Sequence, residues 1–255
     1  MKRYLWKIQF NSSGIDSLKP LSDISKVDAR NSHYVVIDRA TGSQRSLTLE
    51  DHYSQVAQFE LHSMVPAKIS SQYGIARNIY VYAWYVYEFF NVAEAKVLTV
   101  LELALKDRVG DKELKNYIRD RKQQHFDQTG KKLGIRQGLK TLMEYSRDNK
   151  LVANNGFSAW HRHATRQAYY TTQREQWEWA EAEMAKTGKD EIELPIIEVE
   201  QLPPDENYDH VQFLIDHTNK IRNTYAHGTA MLHDQVLGSF EMVSEFINQL
   251  YSDRE

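Results

Sequence analysis

Apolar side chains recur every three or four residues through most of the chain, and this spacing predicts a mainly helical protein. The helices that it predicts span residues 49–62, about 71–110, 112–124, 135–148, about 208–228 and about 233–251. Pro66 separates the first two, because a proline inside a helix lacks a backbone donor and clashes with the preceding turn. We therefore expect a helical bundle.

The longest predicted helix carries one continuous face of large side chains. Its members are Tyr80, Trp84, Tyr87, Asn91, Glu94, Leu98, Leu101 and Leu105. Core and dimer packing explain such a face better than a cofactor site does. The last two helices carry apolar faces of their own, at Val211, Leu214, Ile215, Thr218 and Ile221 and at Val236, Phe240, Val243, Phe246, Ile247 and Leu250. These faces should pack on the long helix.

Two short stretches near the start, residues 4–10 and 33–38, alternate or are β-branched. They predict a small β-hairpin-like cap over residues 1–45. Residues 46–255 then form the helical bundle, with a helical, charged insertion at about 150–206. The insertion ends in an acidic segment, because residues 175–206 hold eleven Asp or Glu against two Lys.

Composition limits the chemistry that the chain supports. It is 41% hydrophobic and 26% charged, which is ordinary for a globular protein. Without cysteine it has no disulfide, no thiolate zinc site and no cysteine nucleophile. Apolar runs of signal-peptide or membrane-spanning type are absent, so we expect a soluble, cytoplasmic protein with no membrane partner. Glycine-rich nucleotide loops, nucleophile elbows and helical zinc-protease motifs are also absent, and we expect no cofactor.

The segment 112–147 has ten basic residues and four acidic ones, although the whole chain has a formal net charge of -3. A local positive surface of this kind is typical of a patch that follows an RNA backbone. A solvated helix face has the same composition. The sequence leaves both interpretations open.

Residues 221–228 place an arginine, an asparagine and a histidine where a predicted helix ends at a glycine. Asn223 and His227 are four residues apart and share a helix face, while Arg222 lies roughly 140° round from His227 and has a long side chain. The helix dipole near its C-terminus favours a protonated imidazole. The three side chains can therefore converge on one group of a substrate.

This set of side chains suits cleavage of RNA by its own 2′-hydroxyl group. His227 would move the proton as general acid or base, and Arg222 would stabilise the developing negative charge. Asn223 would position the imidazole or the substrate, and no metal is required. An arginine and a histidine near a helix end are also typical of a solvated pair or a helix cap.

Two blocks resemble the HEPN superfamily of helical proteins. In the first, four residues separate Arg222 from His227, and an asparagine follows the arginine, as in the hallmark motif of that family. In the second, residues 80–110 are similar to its long early helix and end in a Leu-Glu, Ala-Leu, basic pattern at Leu101-Glu102 and Ala104-Leu105. The two blocks stand in the family's order along the chain.

The resemblance implies a metal-independent endoribonuclease, of the toxin or phage-defence kind that the family often supplies. It also implies a homodimer with a composite cleft, RNA as the substrate, and a possible antitoxin or regulatory protein as partner.

Three further residues are candidates for the site by their positions. Tyr225 would stack on or bond to the substrate. Glu94 and Glu102 would orient Arg222 or His227, or else form structural ion pairs. The alternative is a non-catalytic module that binds RNA or nucleotides or contacts other proteins.

Overall fold

A computed structural model describes residues 18–38, 41–226 and 233–252 of the chain. The protein is mainly helical with a small two-stranded antiparallel sheet near its N-terminus, which confirms the predicted fold class. The strands are β1 (Val35–Ile37) and β2 (Gln44–Ser46). The helices are α1 (Leu49–Ala57), α2 (Ala67–Tyr82), α3 (Phe89–Val109), α4 (Asp111–Thr129), α5 (Leu139–Asp148), α6 (Ser158–His161), α7 (His163–Thr187), α8 (His210–Ala226) and α9 (Leu237–Leu250).

The sheet is a hairpin in which Val36 lies opposite Arg45. Strand β1 lies within the predicted stretch 33–38, but its partner β2 was not predicted. The predicted stretch 4–10 lies outside the described residues. Strand β2 has no apolar alternation, because its three side chains are polar and exposed, so its pairing is visible only in three dimensions.

The chain leaves the helical path between α2 and α3, where the sequence predicts one continuous helix. The side chain of Asn31 donates to the carbonyl oxygens of Ala83 and Trp84, at 2.8 and 3.0 Å. The backbone nitrogen of Asp28 donates to the same Trp84 carbonyl at 3.0 Å, and the Asp28 carboxylate accepts from the Tyr87 nitrogen at 3.2 Å. These contacts replace helical hydrogen bonds in a run of aromatic and β-branched residues, which have modest helix propensity.

Contacts divide the chain into two compact units, and the larger comprises Ile24–Phe157 and Asp209–Glu255. Helix α3 is central to this unit and packs against α2, α5, α8 and α9. Its buried face includes Leu98, Leu101 and Leu105. The predicted apolar face of α9 is buried as well, from Val236 to Leu250. The predicted boundary at residue 45 and the insertion at about 150–206 stay predictions.

The smaller unit comprises Met1–Asp23 and Ser158–Tyr208. In it, α6 and α7 are joined to the chain near Tyr208, since the Trp160 indole donates to the Tyr208 carbonyl at 3.0 Å and the His163 ring stacks on the Tyr208 ring at 3.5 Å. Helix α7 ends at Gly188, whose positive φ of 65° suits glycine. No helix in the described part of the chain is long and apolar enough to cross a bilayer.

Candidate functional site

The C-terminal part of α8 emerges from the core onto the protein surface. The helix is buried at Val211, Leu214, Ile215 and Thr218, and that buried face ends at Thr218. Ile221, which the sequence places on the same face, is 38% exposed, because the last turns of α8 extend beyond the packed core. The helix therefore presents Arg222 to solvent, with 44% of its side chain exposed.

Arg222 is held by a carboxylate of the central helix. Its Nη2 atom donates to Oε2 of Glu102 at 3.3 Å. The other carboxylate oxygen of Glu102, Oε1, lies 2.7 Å from Nζ of Lys106 on the next turn of α3. The Glu102 side chain is largely buried while both cations are exposed, so one carboxylate anchors two side chains at the surface. We name this group, Arg222, Glu102 and Lys106, the α3–α8 cluster.

The α3–α8 cluster holds two positive charges and one negative charge, which leaves one positive charge at the surface. A guanidinium that is half exposed and oriented by a carboxylate is well suited to contact phosphate oxygens, since its planar fork can make two parallel hydrogen bonds. Lys106 adds a point charge one helical turn away. The arrangement can bind an anionic group and stabilise negative charge that develops on it.

Glu94 occupies a different environment from Glu102, although both lie on α3. It is buried, accepts a 2.5 Å hydrogen bond from the Ser239 hydroxyl, and lies 3.4 Å from Nε2 of His233. The backbone nitrogen of His233 donates to Asn91 at 3.5 Å. Glu94 is two turns, about 12 Å along the helix, from Glu102. Its carboxylate therefore contacts the first turn of α9, at Ser239, and the segment that precedes this helix, at His233.

The structure thus brings two of the predicted site residues together, Arg222 and Glu102. Asn223 follows on α8 and is half-buried. Tyr225 lies in the last turn of α8, and its side chain is not described. His227 lies outside the described residues, as does Gly228.

Sequence reasoning missed three side chains that contact the predicted carboxylates. Lys106 stands four residues after Glu102, and this i, i+4 spacing of opposite charges on one helix was the signal that would have found it. His233 and Ser239 contact Glu94 across more than 130 residues of sequence. No local pattern marks such a long-range contact.

An apolar stripe runs along the exposed side of α8 beside the α3–α8 cluster. Phe213, His217 and Ile221 are each four residues apart and all exposed, and the Phe213 and His217 rings stack at 4.0 Å. Phe213 is 42% exposed and Ile221 is 38% exposed. Residues spaced in this way share one helix face and form a continuous surface. We name Phe213, His217 and Ile221 the α8 stripe.

The chain matches no model of a known protein family, no curated protein and no solved structure. Functional inference therefore depends on the residues of the site and their contacts.

Proposed function

We propose that this protein is a metal-independent endoribonuclease of HEPN type. The observation that carries the proposal is the exposed guanidinium of Arg222 on α8, which Glu102 of α3 holds. Arg222 stands five residues before His227 in the sequence. The cation would stabilise negative charge, and the imidazole five residues later would transfer the proton. These are the two functions that phosphodiester cleavage needs. The similarity of residues 80–110 and 222–227 to HEPN proteins supports the same assignment.

In the proposed reaction, the 2′-oxygen of a ribose attacks the adjacent phosphorus atom and loses its proton to His227. The bond from phosphorus to the 5′-oxygen breaks, and that oxygen takes up a proton from solvent water as it leaves, while His227 returns its proton to solvent. The products are a 2′,3′-cyclic phosphate and a free 5′-hydroxyl. Arg222 stabilises the negative charge on the phosphorane oxygens, with Lys106 adding to the local positive potential. Asn223 and Tyr225 position the substrate.

We also propose a homodimer, which the resemblance of the two sequence blocks to HEPN proteins implies and which the α8 stripe supports. Exposed aromatic and aliphatic side chains in a continuous row are typical of a surface that packs against another protein. The stripe lies on the same helix as Arg222, so a second copy seated on it would lie beside the α3–α8 cluster. The biological role proposed is that of a toxin or phage-defence effector controlled by an antitoxin or regulatory protein.

The primary test is cleavage of single-stranded RNA in EDTA. We expect the wild type to cut, and Arg222→Ala and His227→Ala each to lose at least about a hundredfold in rate, a typical cost of removing an electrostatic or acid–base group. Arg174→Ala and His62→Ala are matched controls, because both remove an exposed side chain of the same type that belongs neither to the α3–α8 cluster nor to another proposed RNA contact. Circular dichroism checks that all four variants are folded.

A second arm tests the chemistry. Replacing the ribose 2′-hydroxyl with 2′-O-methyl or with hydrogen should abolish cleavage, and the cut RNA should carry a cyclic phosphate. Intact RNA that stays bound to the wild type in EDTA would contradict the enzyme and favour a non-catalytic RNA-binding module. Growth inhibition on expression, relieved by His227→Ala, is the result expected of a toxin.

A further inference from the structure

A positively charged groove lies on the larger unit, between α4 and the connection 130–138. Its volume is about 600 Å³. Four cationic side chains line the groove, and they are Lys115, Arg119, Lys122 and Lys132. The aromatic ring of Phe126 lies at one end of it. We name it the α4 groove.

The periodicity of α4 accounts for the row. Lys115, Arg119, Lys122 and Phe126 follow one another at steps of three or four, so they share a helix face about 16 Å long. The helix ends at Gly130, whose φ of 67° lies in the left-handed region that favours glycine. The chain turns there, and the connection that follows supplies Lys132 as the opposite wall.

The carboxylates of this region leave most of the groove's charge unneutralised. Glu144 pairs with Arg121 at 2.6 Å, and Asp148 accepts from the Tyr117 hydroxyl at 2.6 Å; neither partner lines the groove. Asp120 contacts Arg119 at 3.1 Å, but both side chains are about 70% exposed, which makes the pair weak.

Within the part of the chain that the structure describes, no ion pair engages the three lysines of the groove, and no carboxylate lines it. Three exposed amines side by side with no acid among them give a local positive potential on a chain whose net charge is negative. Such a potential favours an anionic occupant.

We propose that the α4 groove binds a single strand of RNA. The three lysines and Arg119 follow consecutive phosphates, and a base stacks on Phe126, which is 48% exposed. Gln137, exposed on the opposite wall, offers an amide donor and acceptor to a base edge. A row of cations that ends in an accessible ring suits a nucleic acid better than an acidic peptide, which has no flat face to stack. The choice of RNA among nucleic acids rests on the proposed function.

The test measures binding and not cleavage. A labelled oligouridine is titrated by fluorescence anisotropy against the full chain carrying His227→Ala, so that the RNA stays intact. The groove variant is Lys115→Gln with Lys122→Gln, and the matched control is Lys186→Gln with Lys189→Gln, which removes the same charge from exposed positions on the other unit. Phe126→Ala and Phe126→Tyr test stacking.

We expect the groove variant to bind about tenfold more weakly, and its salt dependence to fall by about 1.4 in the slope of log K against log salt, since each phosphate contact on a single strand contributes about 0.7. The control should bind like the parent. Phe126→Ala should cost about tenfold, while Phe126→Tyr, which keeps the ring, should not.

Equal weakening of the groove variant and its control would overturn the proposal, because it would show a response to net charge alone. Displacement of RNA by polyglutamate at equal charge concentration would also overturn it and favour an acidic polypeptide. If the wild type bound RNA through the groove but did not cut it, the proposed function would be contradicted and the groove assignment would stand.

Discussion

Glu102 illustrates how a single partly buried carboxylate can organise a surface site. Its two oxygens contact cations from two helices, Arg222 on α8 and Lys106 on α3. Exposed ion pairs of this kind contribute little to folding, typically less than about 1 kcal/mol. In the proposed reaction the geometry of this pair matters more than its energy, because Arg222 would act on the phosphate through its position.

We expect Glu102→Gln to lower kcat for RNA cleavage by about tenfold without raising KM. Arg222 then lacks its anchor, so it is less often in the position that stabilises the transition state, while the extra net positive charge does not weaken RNA binding. The free energy of unfolding should change by less than about 1 kcal/mol. Steady-state kinetics with a labelled RNA and urea denaturation give the three values.

Glu113→Gln is the matched control, since it removes an exposed carboxylate from the first turn of α4. It should leave kcat unchanged. A Glu102→Gln enzyme with wild-type kcat would show that the pair with Arg222 is an ordinary surface contact. A raised KM with unchanged kcat would instead assign Glu102 to substrate binding.

Helices α1 and α2 are held together by a buried histidine. Thr48 begins α1 with a capping box that it forms with Asp51. Further along α1, the His52 ring donates from Nε2 to the Tyr80 carbonyl at 2.9 Å and stacks on the Tyr80 ring at 4.5 Å. The remaining rings around it belong to Trp84 and Phe90. Burial among these rings lowers the pKa of His52 below its usual value, since the charged imidazole loses hydration.

Folding stability should therefore decrease as the pH falls below about 6.5, the usual pKa of histidine in an unfolded chain. Below that pH the histidine of the unfolded chain takes up a proton, whereas His52 in the folded protein stays neutral until the pH approaches its lowered pKa. The contribution of His52 to the free energy of unfolding is therefore fully present above pH 6.5 and is lost as the pH falls towards the pKa of the folded state. The slope approaches about 1.4 kcal/mol per pH unit. Urea denaturation at intervals from pH 7.5 to 5 measures it.

His52→Gln removes the titrating group and should flatten this dependence. His62→Gln, at an exposed histidine, should leave it as in the wild type. The carboxyl groups with lowered pKa, such as Asp28 and Asp107, titrate below pH 4 and do not contribute in this window. If the free energy of unfolding depended on pH in the same way in the wild type and in His52→Gln, the buried histidine between α1 and α2 would not be the source of this dependence.

At the scale of the whole molecule, the helical class was predictable because a period of 3.6 residues is a local signal. The buried face of α9 and most of that of α8 follow from it directly. The pairing of β2 and the break between α2 and α3 were not predictable, since Asn31 reaches carbonyls more than fifty residues away. The contact of Arg222 with Glu102 spans 120 residues. The apolar faces predicted that α8 packs on the long helix, but they did not distinguish Glu102 from Glu94 as the partner of Arg222.

Mixing inactive variants can decide whether the proposed active site spans two copies of the chain. In a composite site, Arg222 of one protomer acts with His227 of the other. A mixed dimer of Arg222→Ala and His227→Ala then has one site with both side chains intact and one with neither. Since half of the dimers formed at random are mixed, we expect about a quarter of wild-type RNA cleavage after co-refolding equal amounts.

The same experiment separates the alternatives. If each protomer uses its own arginine and histidine, every site in the mixture lacks one of them, and no activity returns. A change of Ile221 to Asp on the α8 stripe should abolish the recovery as well, because a buried charge opposes association, and sedimentation should then show the monomer. Recovery that survives Ile221→Asp would mean that the copies associate through a surface other than the α8 stripe.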